Sequence, residues 1–165
     1  MTKTKLLEAL AFAEIAHTGA ARKGTGEPYI NHPIRVAALV AAHGGSEEAV
    51  IAAYLHDVVE DTHYTAEHVA DLFGHEVAKI VVGLTSPGDD SEYNALLAAG
   101  GSDVHLVKAA DIVDNTANAA EALGAYASTY LKKKAITLAL LTKAPESLVL
   151  IAKGNIEHGN KLLAV

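Results

Sequence analysis

The sequence holds no cysteine and no tryptophan, and only two of its thirteen basic residues are arginine, Arg22 and Arg35. Without cysteine there is no disulfide framework, thiolate zinc site or cysteine nucleophile, and a reducing compartment, the cytoplasm, is the expectation. No stretch approaches ~18 uncharged apolar residues, so no membrane span is expected. The opening segment, Met1 to His17, carries Lys3 and Lys5, but Glu8 and Glu14 interrupt its apolar run. It reads as an amphipathic helix rather than a signal peptide. Thirteen basic residues against 20 acidic ones leave a net charge of −7, which argues against a nucleic-acid partner. An anionic substrate must therefore meet a local cluster of cations, or a metal ion.

Apolar residues are plentiful: 50% of the 165 residues are hydrophobic and 20% charged, a composition that folds around a core of its own. The length suits one domain spanning residues 1–165. Apolar spacing is helical nearly throughout. Leu6, Leu10 and Ala13 share a face of a first helix ending near Gly19. Ile34, Val36, Ala37 and Val40 carry a second helix that Pro33 opens. Ser46 caps a third, which buries Val50, Ile51, Tyr54, Leu55 and Val58 and ends near Asp61. Thr65 caps a short helix stopping at Phe73-Gly74. Val77, Ile80, Val81 and Leu84 mark the next, and another short one reaches Gly100-Gly101. Val104, Val107, Ala110, Ile112 and Val113 define a strongly apolar helix, and two more follow, at 126–142 and from Pro145. Strand-like alternation is nearly absent. The expectation is an all-α bundle of about eight or nine helices, with the C-terminal helices of 126–165 packed on the rest.

Three places break the apolar rule. His56 and Asp57 follow the run Ala52-Ala53-Tyr54-Leu55, and Glu60 and Asp61 lie one turn further on. Acids at a helix C-terminus oppose the helix dipole, a cost with no structural return. Asp111 sits within the apolar helix, with Lys108 three residues before it as a possible partner and Asn115 one turn after. His32 stands at the mouth of the second helix. Together His32, His56, Asp57 and Asp111 offer two imidazoles and two carboxylates from three helices, a nitrogen-oxygen set for one divalent cation. Such a set suits Mn²⁺, Fe²⁺ or Zn²⁺ better than calcium.

The blocks Arg22-Lys23-Gly-Thr-Gly-Glu-Pro-Tyr-Ile-Asn-His32-Pro33, Leu55-His56-Asp57-Val-Val-Glu60-Asp61-Thr62 and Val107-Lys108-Ala-Ala-Asp111, continuing to Asn115, resemble the HD superfamily of metal-dependent phosphohydrolases. Within it they are similar to the hydrolase domain of Rel/SpoT alarmone enzymes and to the small stand-alone alarmone hydrolases. The likeness is strongest over residues 1–118. It implies a metal, usually Mn²⁺, on His32, His56, Asp57 and Asp111. Glu60 and Asp61 are implied as catalytic acids, and Arg22, Lys23 and Asn115 as substrate-binding residues. The implied reaction is removal of the 3′-pyrophosphate from (p)ppGpp, the alarmone of the stringent response.

Other expectations compete with that one. An HD-type phosphatase for another nucleotide or small phosphorylated metabolite would keep the metal chemistry. A non-catalytic nucleotide-binding regulatory module would keep the fold. The partner in each case is a small nucleotide or metabolite, and a homodimer stays open. Two departures from the family bear on the substrate. The arginine usual shortly after the Asn is missing from Asn115-Thr-Ala-Asn118, and Ser86 to Val107 holds no lysine or arginine. Lys132-Lys133-Lys134 could compensate, but three consecutive residues cannot share one helix face, and a solvated patch is the expectation.

Overall fold

Two helices of this protein are buried nearly all round, and the others wrap them. In the computed structural model, which describes residues 3–164, the helix Glu47–Leu55 buries every residue from Ala49 to Leu55 except the half-buried Tyr54. The helix Ser102–Thr116 buries ten side chains, among them Val104, Val107, Ile112 and Val113. A helix without a polar face belongs in the interior, and these two pack directly on one another. Each fully buried leucine or isoleucine, such as Leu55 or Ile112, contributes roughly 1.5–3 kcal/mol by leaving water.

In chain order the elements are α1 (Lys3–Ala16), α2 (Asn31–Ala42), α3 (Glu47–Leu55), α4 (Val58–Asp61), α5 (Ala66–Phe73), α6 (His75–Leu84) and α7 (Asp90–Ala99). Then come α8 (Ser102–Thr116), α9 (Ala119–Leu123), α10 (Ala127–Leu140) and α11 (Glu146–Leu162). Nine of them are eight residues or longer. Helices α1, α2 and α6 pack on α3, while α2, α6, α10 and α11 pack on α8. No strand occurs among the described residues, only an isolated bridge between Ala21 and Pro28. The architecture is all-α, as the apolar spacing predicts. No helix among the described residues is long and apolar enough to cross a membrane.

Several helix starts follow from single side chains. Ser46 Oγ accepts the N–H of Ala49 at 3.0 Å and donates to Asp103 at 2.9 Å, capping α3 and tying it to α8. Thr65 caps α5 in a reciprocal box with His68. Met1 and Thr2, which the sequence places in the first helix, lie outside the described residues, as does Val165.

The structure differs from the sequence expectation in three places. The helix foreseen to run on to Asp61 breaks at His56-Asp57 and resumes as α4. Asp57 has φ −99° and ψ −4°, away from helical values and in the bridge region where active-site residues recur. The first helix ends at Ala16, with a turn carrying His17 to Gly19. The short α9 and a 3₁₀ turn at Gly124–Tyr126 were not foreseen, because Ala119-Ala-Glu-Ala-Leu has no apolar periodicity long enough to read.

Candidate metal centre and adjoining cavity

The break after α3 turns both His56 and Asp57 toward one point. His32 reaches the same point from the first turn of α2, and Asp111 from the middle of α8. His56 Nε2 lies 3.0 Å from Asp57 Oδ2 and 3.8 Å from Asp111 Oδ1. His32 Nε2 lies 3.5 and 3.3 Å from the same two oxygens. The ligand atoms of His32, His56 and Asp57 all fall within 4.8 Å of one another. Ligands about 2.1 Å from a shared ion stand ~3.0–3.4 Å apart when adjacent and ~4.2 Å when opposite, so the group of His32, His56 and Asp57 suits one cation, with Asp111 beside it rather than within it.

The far nitrogen of each imidazole is already held. His56 Nδ1 donates to the carbonyl of Ala53 at 2.8 Å, and His32 Nδ1 meets Asp114 Oδ2 at 2.7 Å. Each ring is thereby oriented with Nε2 toward the carboxylates, the arrangement by which protein partners aim a ligating histidine. His56 Nε2 is buried and has no hydrogen-bond partner, despite its closeness to Asp57. A buried orphan nitrogen beside two carboxylates is costly unless a cation completes it. The residues present therefore fit a divalent metal ion, and this His/Asp group could hold one.

The electrostatics show the same demand for positive charge. Burial opposes protonation of His56, but Asp57 and Asp111 beside it outweigh burial and push it up to about 10. Burial works to raise both carboxyls. His56 and His32 nonetheless hold Asp57 below the usual carboxylate range, and Lys108 does so most strongly for Asp111. Asp111 Oδ2 pairs with Lys108 Nζ at 2.8 Å, while its Oδ1 faces the imidazoles. From sequence, Lys108 was an alternative to a metal role for Asp111; in the structure Oδ2 meets Lys108 and Oδ1 is left facing the imidazoles.

A cavity of about 1080 Å³ adjoins the cluster. Two of its wall residues turn inward onto candidate ligands. Tyr29 Oη donates to Asp57 Oδ2 at 2.5 Å, and Asn115 Nδ2 donates to Asp111 Oδ1. Burial, reinforced by Asp57, raises the Tyr29 pKa far above its ordinary value, so the hydroxyl keeps its proton and remains a donor. Arg22 lies in the wall and donates to Asn115 Oδ1 at 3.0 Å. Lys23, next to it, is exposed. Glu60 and Asp61 are exposed on α4: Glu60 Oε2 accepts the N–H of Ser86 at 2.8 Å, and Asp61 Oδ2 accepts a long 3.4 Å bond from Tyr29.

The loop bearing Arg22 and Lys23 is pinned at both ends. Arg22 N–H donates to the Glu27 carbonyl and Tyr29 N–H to that of Ala20, both within 3.0 Å. Gly24, at φ +89°, lies so close to α9 that a Cβ there would sit 2.2 Å from the Ala122 carbonyl oxygen. Only glycine fits.

Two residues the sequence did not single out touch the cluster, and one residue of the lysine run turns toward the cavity wall. Tyr29 and Asp114 lie inside the recognised blocks, and their signal was position: Asp114 is one turn beyond Asp111 on α8. It accepts from His32 and from Arg35 Nε at 2.5 Å, with Arg22 at 3.6 Å. The third is Lys134. The solvated patch expected of Lys132 to Lys134 holds for Lys132 and Lys133, but Lys134 is half-buried, with its ammonium 5.1 Å from the centroid of the Tyr130 ring. One turn of α10 separates the two, so they share a face.

The family model described as HD domain matches residues 9–111. A guanosine-3′,5′-bis(diphosphate) 3′-pyrophosphohydrolase of Aquifex aeolicus is 40% identical over 120 residues, covering 67% of this chain and 17% of that protein. The bifunctional (p)ppGpp synthase/hydrolase SpoT of Escherichia coli K12 is 43% identical over 81 residues, covering 49% and 11%. The chain thus spans less than a fifth of the length of these curated relatives. Among solved structures, a metazoan ortholog of SpoT that hydrolyzes ppGpp matches with a TM-score of 0.86 at 26% identity, over 96% of this chain and 97% of that one. That match reaches well past residue 118 and so takes in the C-terminal helices.

Proposed function

The chain belongs to the HD-domain family, and on that footing we propose that it is a metal-dependent phosphohydrolase acting on guanosine 3′,5′-bis(diphosphate) in the cytoplasm. The products would be GDP, or GTP from the pentaphosphate, and pyrophosphate. The observation that carries this reading is the gathering of His32, His56 and Asp57 ligand atoms within 4.8 Å of one another, with Asp111 Oδ1 3.3 Å from His32 Nε2 and His56 Nε2 without a partner of its own. The ion is Mn²⁺, held by His32, His56, Asp57 and Asp111, with Fe²⁺ and Zn²⁺ as the other metals this donor set accepts. When bound, it lowers the pKa of water to near neutrality and polarises a phosphoryl oxygen.

The remaining work belongs to side chains around the cluster. Tyr29 and Asn115 each donate to one candidate ligand, which fixes the carboxylate oxygens before substrate arrives. Glu60 and Asp61, one turn beyond His56 and Asp57 and open to solvent, are the acids that would accept the proton of the attacking water. Arg22 and Lys23 offer positive charge at the cavity, where phosphoryl transfer depends on neutralisation and alignment. Tyr126 and Tyr130, ring centroids 6.1 Å apart, add an aromatic wall against which a nucleobase can lie.

Incubation of the purified protein with ppGpp and Mn²⁺ is expected to release pyrophosphate, and a His56→Ala variant is expected not to. Release no greater than from His56→Ala rejects the substrate. A second reading keeps the metal chemistry but moves it to a less highly charged nucleotide or phosphorylated metabolite. It is favoured by the cation-free stretch from Ser86 to Val107 and by Arg35, whose guanidinium is already taken up by Glu27 and Asp114. Comparing 3′-pyrophosphates with simple phosphomonoesters separates the two.

A further inference from the structure

Three other lysines each have an oxygen to answer them, while Lys23 and Lys132 stand exposed to water. Lys108 pairs with Asp111 at 2.8 Å, Lys133 with Asp90 at 2.7 Å, and Lys143 donates to the Gly100 carbonyl at 2.7 Å. Lys134 has no carboxylate within 4.0 Å and donates no hydrogen bond among the described residues, although it is half-buried. Among the described residues its one specific contact is the face of Tyr130, a residue of the cavity wall. Burial lowers its affinity for a proton, and the charges near enough to act on it are Asp111, Lys108, Asp57 and Arg22, which are residues of the site. A cation kept from water costs free energy unless an anion joins it, and seating on an aromatic ring offsets only part of that cost.

We propose that Lys134 is a phosphate-binding residue of this site. Its ammonium, seated on Tyr130 and left unpaired by the protein, meets the phosphoryl oxygens of the anion held at the His32, His56, Asp57 and Asp111 cluster. The inference rests on reading the cluster as a phosphohydrolase centre. It also gives α10 a task that the segment Thr116-Ala-Asn118, which lacks a cation, cannot perform. Lysine acts here as a point charge on a long stem, so it can follow a phosphate without fixed geometry.

The probe is inorganic phosphate, titrated calorimetrically into the Mn²⁺-loaded protein. Lys134→Met and Lys134→Gln are expected to bind it at least fivefold more weakly than the unaltered chain. Lys134→Arg should stay within threefold, and the metal content of all three should be unchanged by elemental analysis. Phosphate affinity that is equal in the unaltered chain and in both neutral variants overturns the assignment. So does loss of metal from Lys134→Gln, which would make the lysine a support for Asp111. Should Lys134→Met not fold, the Gln and Arg variants carry the same comparison. Weaker phosphate binding in the neutral variants, with no turnover of ppGpp by the unaltered chain, rejects the proposed substrate and leaves the role of Lys134 standing.

Discussion

The buried cluster and the exposed edge around it are held by different means. His32, His56 and Asp111 each have a protein group holding the atom that faces away from the others, and Asp57 is held through Oδ2 by Tyr29. Glu60, Asp61 and Lys23 stand in solvent with few partners. On the proposed function, the contrast separates grip from chemistry. Preorganised ligands bind an ion without rearrangement, whereas the groups that move protons and meet substrate keep the freedom of the surface. Substitutions in the two regions should accordingly fail in different ways.

The largest effect is expected for Asp111→Ala, which should lose bound metal and about 10³-fold or more of activity together. It also strands Lys108, a loss of a buried pair worth roughly 3–5 kcal/mol, so unfolding should come at markedly lower denaturant. At the edge, Glu60→Gln should cost on the order of 10²–10³ in kcat while metal content and Tm stay put. A metal-free Glu60→Gln protein would erase the distinction between the two regions. Asp114→Asn tests whether the partners of the cluster matter. It leaves every candidate ligand in place but loosens the bond that aims His32, and metal affinity should fall about 10- to 100-fold.

Acidity sharpens the same contrast. His56 in the metal-free protein is raised to about 10, so below that pH its imidazole carries a proton that a metal must displace. Metal uptake should therefore release a proton. Apparent affinity should climb about tenfold per pH unit between neutrality and 10 for each proton displaced. Calorimetry in buffers of different ionisation enthalpy reads the proton directly, and an affinity independent of pH would mean that His56 is not a ligand. The smallest effect is reserved for a control. Lys133→Ala removes an exposed pair with Asp90 and should change neither activity nor Tm measurably.

How far the sequence reached is best judged residue by residue. The long helices were legible because their apolar faces recur at helical spacing and because Ser46 and Thr65 announce two starts. The break between α3 and α4 was not, since Val58 and Val59 continue the apolar pattern and the turn is made by backbone angles at Asp57. His32, His56, Asp57 and Asp111 were legible because a histidine or an aspartate among alanines and valines is conspicuous, whereas Arg22, Lys23 and Asn115 came from the resemblance alone. Asp114 and Tyr29 escaped notice, since their roles depend on which atoms they touch across 82 and 28 residues of chain. Lys134 was legible only as one of three lysines. Its separation from Lys132 and Lys133 is a matter of which face of α10 turns inward, and weak apolar contrast along 127–140 left that undecided.

The contact between Gly24 and the carbonyl of Ala122 ties two distant stretches of chain. The loop that presents Arg22 and Lys23 comes from the first thirty residues, yet its height above the cavity is gauged by a five-residue helix near position 120. A single added methyl at 24 would lift the basic edge away from the imidazoles without touching either. Trimming the chain after α8 would take away that stop and leave the edge to its own turn and to the bond from Arg22 to Asn115.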